Sequence, residues 1–258
     1  MIVDCHTHLH CPERGVLTDE HRRLCSQVDA CFVLAGLDGG RDQINTELAA
    51  YLRQTSKAYG FAAVNPLHDD ISAKRIKALK NTERMIGCVL YCAEDGFHPT
   101  HSRALQFYET AEQVGLIVYL HSCPPFAPSA VLDYAQPWLL DEVARLFPGL
   151  RLIIGRMGLP FHDQTLCLLS KHPNIFADLT IHPQKIWQVY NLVMGAYEAG
   201  VMDRLLFGSG FPVAEPGQCI ETLLGFNKML ADTHLPQVPR EKMRSIVERD
   251  SLAALGIK

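Results

Sequence analysis

Residues 1–10 read MIVDCHTHLH: an apolar strand, residues 1–5, runs directly into His6-Thr7-His8. Side chains of an extended chain alternate between faces, so Asp4, His6 and His8 point the same way. Imidazoles paired at a strand end suit zinc and related transition metals, with Asp4 placed either to support a ligand or to cap a turn. An HxH spacing also arises by chance in a chain with 12 histidines, so its meaning depends on what other segments bring to that strand end.

Seven further apolar runs follow, at residues 30–36, 59–64, 85–91, 116–120, 151–154, 175–179 and 204–207. Segments of helical spacing separate them. Ile44, Leu48, Tyr51 and Leu52 share one face after the Gly39-Gly40 turn, and residues 71–79, 104–114, 132–147, 164–170 and 186–197 supply the next helices. The tail adds 220–230 and 240–255. Parallel strands need long crossovers and are buried on both faces, which continuous apolar runs satisfy. The alternation predicts an α/β fold, a distorted TIM-like (β/α)8 barrel, with residues 1–258 as one domain that includes C-terminal packing helices. The competing architecture is an open doubly wound sheet, but no GxGxxG or GxxxxGK[ST] stretch provides its usual nucleotide site.

The apolar share of 48% against 20% charged residues excludes a disordered chain. With 24 Lys and Arg against 28 Asp and Glu the net charge is −4, and no basic block could track a phosphate backbone, so nucleic acid is excluded as a partner. No apolar stretch approaches the length of a membrane span and the N-terminus lacks a secretory pattern, so a cytoplasmic protein without membrane partners is expected. Nine cysteines, an odd number without a CxxC pair, read as reduced thiols packed as small hydrophobes. Cys5, Cys11, Cys92 and Cys123 stand near His or acidic residues and are the candidates for a further role.

The run at 116–120 ends in His121. If the barrel closes, this imidazole reaches the first strand, and three can converge. Cys123 has the parity to face the same cavity if the strand continues, although Pro124-Pro125 opposes that extension.

VDCHTHLH (3–10), YLHSCPP (119–125), RLIIGRMGLPF (151–161), HPNIFADLT (172–180) and RLLFGSGFPV (204–213) together, in this order, resemble the amidohydrolase superfamily. The likeness covers nearly the whole chain and is closer to the amidohydrolase-related group of metal-dependent hydrolases, lactonases and nonoxidative decarboxylases. It implies a distorted barrel with one or two divalent metals at the C-terminal strand ends, and His6, His8 and His121 match metal-binding positions. Two phrases depart from the pattern. Arg156-Met157-Gly158 stands where an HxG element is usual, and Gly208-Ser209-Gly210 stands where Gly-Ser-Asp supplies a ligating, proton-transferring carboxylate. The fourth strand, RMIGCVLYC, lacks a Lys or Glu to bridge two metals. The expected cofactor is therefore a single zinc or other divalent transition metal, with a metal-free form as the alternative.

The function expected is metal-dependent hydrolysis of a small carboxylated organic substrate, a lactone or an amide. Arg156 would grip the carboxylate and Asp178 would act in catalysis, with Glu94, Asp95 and Glu215 as further proton acceptors. Glu94 and Asp95 equally suit ordinary solvated charge, and Asp178 equally suits a structural role. Phe126 and Phe211, with Trp138 and Phe161, are candidate walls of a substrate pocket. The alternatives are a catalytically inactive barrel that binds a small ligand and a nonoxidative decarboxylase. Ser209 lacks a GxSxG elbow and is not read as a nucleophile. A homodimer stays open.

Overall fold

The computed structural model describes residues 1–11, 15–37, 39–121 and 125–257, apart from the side chain of Met229. Cys123 and Pro124, on which the strand-extension argument rests, lie outside the described residues.

Eight parallel strands follow one another around a barrel: β1 (Val3–Thr7), β2 (Ala30–Leu34), β3 (Ala58–Ala63), β4 (Met85–Leu90), β5 (Ile117–Leu120), β6 (Leu152–Ile154), β7 (Ile175–Thr180) and β8 (Leu205–Gly208). Their nearly continuous burial matches the unbroken apolar runs, because helices cover the outside while the strands' own side chains fill the inside. Closure occurs just past the end of β8. Thr7 bridges Phe211 in parallel, the Gly210 amide donates to His6 O at 2.9 Å, and the His8 amide donates to Phe211 O at 2.9 Å. Asp4 reinforces the seam by accepting from the Ser209 hydroxyl at 2.6 Å and its amide at 2.9 Å. Ser209 is thus a buried latch, and Asp4 supports closure.

Ten helices are described: α1 (Thr18–Cys25), α2 (Arg41–Gln54), α3 (Ala73–Lys80), α4 (Ser102–Val114), α5 (Leu140–Leu146), α6 (His162–Lys171), α7 (Ile186–Glu198), α8 (Pro216–Gly225), α9 (Arg240–Glu248) and α10 (Ser251–Ala254). The face of α2 anticipated from spacing, Ile44, Leu48, Tyr51 and Leu52, is the buried one. Gly115 ends α4 in the left-handed region, φ +70°, and the Leu116 amide closes back on Ala111 O at 2.9 Å.

Three expected helices are broken. Residues 132–147 form two 3₁₀ turns before α5, because Pro137 has no amide hydrogen and holds Gln136 extended. Residues 220–230 are the end of α8, which begins at Pro216, followed by a 3₁₀ turn over Phe226–Leu230. Residues 240–255 divide into α9 and α10 at extended Arg249, whose guanidinium donates to Met202 O at 3.1 Å and Leu205 O at 3.0 Å. Asp250 then caps α10 through the Ala253 amide at 2.9 Å. Helix α1 and the hairpin of His10–Cys11 with Gly15–Val16 were not anticipated. Among the described residues no helix is long and apolar enough to cross a membrane.

Candidate metal centre

Alternation along β1 and β5 carries three imidazoles to one end of the barrel. The ring centroids of His6, His8 and His121 form a nearly equilateral triangle with sides of 5.1 to 5.2 Å. His6 Nε2 lies 3.2 Å from His8 Nε2 and 3.3 Å from His121 Nε2. Metal–nitrogen bonds of about 2.0–2.1 Å at tetrahedral angles place ligand nitrogens roughly 3.4 Å apart, so the spacing suits one zinc-sized ion.

The opposite ring nitrogens decide which atoms carry the lone pairs. His6 Nδ1 faces Asp178 Oδ2 at 2.6 Å, and His8 Nδ1 faces the Leu34 carbonyl at 3.1 Å. Both partners are acceptors, so Nδ1 holds the hydrogen and, in the neutral rings, Nε2 presents a lone pair to the shared centre. Two such nitrogens 3.2 Å apart cannot satisfy one another, whereas a cation between them satisfies both. Burial, then His6, His8 and Arg156, pulls the His121 imidazole well below its usual range; burial, then His6 and Arg156, does the same to His8. These two rings are therefore neutral and fit to ligate. Buried His121 Nδ1 has no hydrogen-bond partner among the described residues, and the Tyr91 ring lies 4.8 Å from the His121 ring.

Asp178 lies behind His6 on β7. Besides His6, its carboxylate accepts from the Tyr119 hydroxyl at 2.7 Å, the Arg156 amide at 2.8 Å and the Thr180 hydroxyl at 2.9 Å. Burial pushes this carboxyl up, but His6 and these donors outweigh it and hold it below the ordinary Asp range. The arrangement orients His6. Gly208 makes the approach feasible: a Cβ there would run into Asp178 Oδ1 and come within 2.9 Å of His6 Cβ.

A cavity of about 350 Å³ opens over the rings, lined among others by His8, His10, Glu94, His121, Arg156 and Val213. Arg156 adopts φ +49°, ψ +36°, an uncommon region for a side-chain-bearing residue, and so aims its amide at Asp178 while its guanidinium reaches the cavity. Gly210 adopts φ +69°, and a Cβ built on it would meet Thr180 Cγ2 at 2.7 Å and lie 4.0 Å from Arg156 Nη2. Arg156 and Gly210 are thus neighbours in space.

Several expectations require correction. Phe211 turns away from the cavity into a cluster with Leu17 and Leu24, its ring 5.6 Å from that of His21. Phe126 does not line the cavity, although Pro125 and Ala127 on either side of it do. Glu215 is exposed at the start of α8. Glu94 is not a solvated charge: both carboxylate oxygens are buried, neither has a hydrogen-bond partner among the described residues, and burial raises its pKa. Asp95 pairs with Arg41. Cys5 and Cys92 are buried thiols pushed up by desolvation, while Cys11 lines the cavity. Sequence reasoning missed Tyr119 and Thr180, although they share the strand alternation of His121 and Asp178.

The family model described as Amidohydrolase matches residues 3–248. No curated protein matches the chain. Among solved structures, a probable 2-pyrone-4,6-dicarboxylic acid hydrolase from Acinetobacter baumannii with citric acid bound is 15% identical, with a TM-score of 0.70 and 99% of each chain covered. An amidohydrolase from Burkholderia multivorans with bound zinc is 11% identical, with a TM-score of 0.74 and full coverage of both chains at 100%. A dihydroxybenzoic acid decarboxylase from Polaromonas sp. JS666, with bound manganese and the inhibitor 2-nitroresorcinol, is 12% identical, with a TM-score of 0.64, covering 98% of this chain and 96% of its own. At such identities the likeness speaks to the barrel alone, whereas the family match runs through β1, β5 and the loops that build the site. The chain belongs to the amidohydrolase family.

Proposed function

We propose that the chain is a mononuclear metal-dependent hydrolase of a small carboxylated organic substrate, a lactone or an amide. The reading rests on the His6, His8 and His121 Nε2 triangle, whose lone pairs are fixed by partners behind His6 and His8. A divalent metal held there supplies a Lewis acid for the substrate carbonyl and lowers the pKa of bound water. The chain's own groups do the rest. Asp178 and the Leu34 carbonyl hold the ligands' tautomers, as acceptors behind metal-bound histidines do. Arg156 presents planar donors to a substrate carboxylate. Glu94 takes the proton of the attacking water and returns it to the leaving oxygen or nitrogen, a task for which burial has shifted it toward neutrality.

The test is metal content after purification without a chelating tag. One zinc or manganese per chain is expected, lost in His6→Ala and in His121→Ala. Failure of the wild type to retain either ion after reconstitution at neutral pH overturns the reading and leaves a barrel that binds ligands without metal chemistry. Arg156→Ala should weaken carboxylated ligands by roughly 10- to 100-fold while neutral analogues bind as before. Equal loss for both would mean damaged packing instead.

Nonoxidative decarboxylation is the second reading, favoured by Glu94 itself: burial raises its pKa, which suits a carboxyl that delivers a proton to the carbon that loses CO2. Screening lactones, amides and carboxylated aromatics separates the two through the product, acid in one case and CO2 in the other. In either reaction Glu94→Gln should cut turnover by roughly 10²- to 10⁴-fold with metal content unchanged.

A further inference from the structure

A second group of reactive side chains lies between α1 and β2, outside the cavity described above. His21 and Cys25 sit one turn apart on α1, and Cys31 is on β2; His21 Nδ1 and both sulfurs lie within 4.8 Å of one another. Cys25 Sγ is 2.7 Å from Cys31 Sγ and 3.4 Å from His21 Nδ1. The Thr7 hydroxyl donates its one hydrogen to Phe32 O at 2.6 Å, so it accepts from His21 Nε2–H at 2.7 Å. His21 is thereby held with Nδ1 toward Cys25 and the Tyr51 hydroxyl, the latter 2.6 Å away.

The two sulfurs differ in setting. Cys25 forms part of the floor of a surface cleft of about 320 Å³, which Arg22, Ser26, Gln54, Ser56 and Lys57 also line. Lys57 Nζ donates to the Val28 carbonyl at 2.8 Å and the Cys25 carbonyl at 3.4 Å, which brings an ammonium beside the sulfur pair. Cys31 does not line the cleft and is fully buried. Contact with Cys31, then His21, brings the Cys25 thiol down, while the same contact and burial push Cys31 up. Cys25 is on the cleft floor, 3% exposed, and Cys31 lies behind it, 0% exposed. The Lys57 ammonium favours a thiolate in the pair and opposes a metal ion in the same place.

We propose that Cys25 and Cys31 form a redox-active dithiol, with Cys25 the nucleophile toward a small hydroperoxide and Cys31 the resolving thiol. The Cys25 sulfur attacks a peroxide oxygen, an S–O bond forms and the O–O bond breaks; the departing oxygen takes a proton and leaves as water or an alcohol. Cys25 is now a sulfenic acid, oxidised by two electrons, and the peroxide is reduced. The Cys31 sulfur then attacks the Cys25 sulfur, an S–S bond forms, and the hydroxide expelled leaves as water with the Cys31 proton. Two thiols and one hydroperoxide give one disulfide, one water or alcohol, and one water.

The test treats the whole protein with one equivalent of hydrogen peroxide. Both cysteines lie on the single tryptic peptide 24–41, because no Lys or Arg falls between Arg23 and Arg41. Mass spectrometry should show that peptide losing two hydrogens, with Cys25 consumed about ten times faster than Cys167, the exposed thiol that accessibility alone would favour. In Cys31→Ser a sulfenic acid should accumulate at Cys25 and be trapped by dimedone; in Cys25→Ser, Cys31 should stay reduced. Consumption of Cys167 as fast as Cys25, or no bond between residues 25 and 31, overturns the assignment. The wild-type rates decide this even if a variant fails to fold.

Discussion

Two fully buried carboxylates, Asp4 and Asp178, stand on either side of His6 and meet opposite fates. Burial pushes both up; His6 and a set of donors bring Asp178 back below the ordinary range, whereas Asp4, with donors from Ser209 and the His6 amide, stays at about 6. Asp178 thus carries the charge that orients His6. Asp178→Asn keeps the volume but removes that charge and offers an amide hydrogen as readily as an acceptor, so the His6 tautomer is no longer fixed. Affinity for zinc should fall by roughly 10- to 100-fold in a competition titration, the range for lost partners behind metal-bound histidines. Unchanged affinity would remove Asp178 from the ligand set's support. The convergence of His6, His8 and His121 was legible in the sequence because apolar runs fix strand parity, and parity sends the three imidazoles inward. Tyr119 and Thr180 obey the same parity but are residue types that fill barrel interiors without chemistry. Glu94 was ambiguous for another reason: a charged residue just past a strand is ordinarily solvated, and only the folded loop shows its oxygens buried.

The eight barrel strands were legible, since each must bury both faces and so writes itself as an apolar run, whereas the exposed hairpin of His10–Cys11 with Gly15–Val16 leaves no such run. Helix ends were less so. Pro137 was visible in the sequence, but the break at Arg249 depends on carbonyls of Met202 and Leu205, more than forty residues away in the chain. The end of α5 depends on a similar distant cap: Asn174 Nδ2 donates to Phe147 O at 3.1 Å and Leu150 O at 3.0 Å. Asn174→Ala leaves these carbonyls of the α5–β6 connection short of a donor and should lower stability by about 1–3 kcal/mol in a denaturant titration. A shift of a few tenths would mean that water replaces the amide. Helices α5 and α6 are also tied by Asp141, which pairs with Lys171 and with His172 Nε2 at 2.7 Å. Those two bonds hold Asp141 down at about 2. A depressed carboxyl contributes stability above its unfolded value, near 3.8, and loses it as pH falls toward 2. Asp141→Asn should therefore melt earlier than wild type at pH 5 and converge with it near pH 2; a constant difference across that range would show that the pairing contributes no charge-dependent stability.

For the whole molecule the decisive act is closing β1 against the chain beyond β8, because the same seam sets the ligand triangle. The Gly210 amide binds His6 O, the His8 amide binds Phe211 O, and Asp4 binds Ser209, so residues 4 to 8 are held by residues 209 to 211. The protein completes this seam with a carboxylate it does not fully compensate. Asp4 has a folded pKa of about 6 against an unfolded 3.8, with desolvation the largest cause, so the native state holds its proton more tightly than the unfolded chain. Its contribution is therefore fully present below about pH 4 and is lost as pH rises through 6, the reverse of Asp141. In chelator, so that ligand binding does not intrude, wild-type stability should carry a downward component between pH 4 and 6.5 that Asp4→Asn lacks. The comparison is of slopes, since the substitution also alters the bonds from Ser209 and shifts both ends of the curve. Parallel curves for the two proteins would mean that Asp4 is ionised throughout, compensated at the seam by its Ser209 and His6 donors.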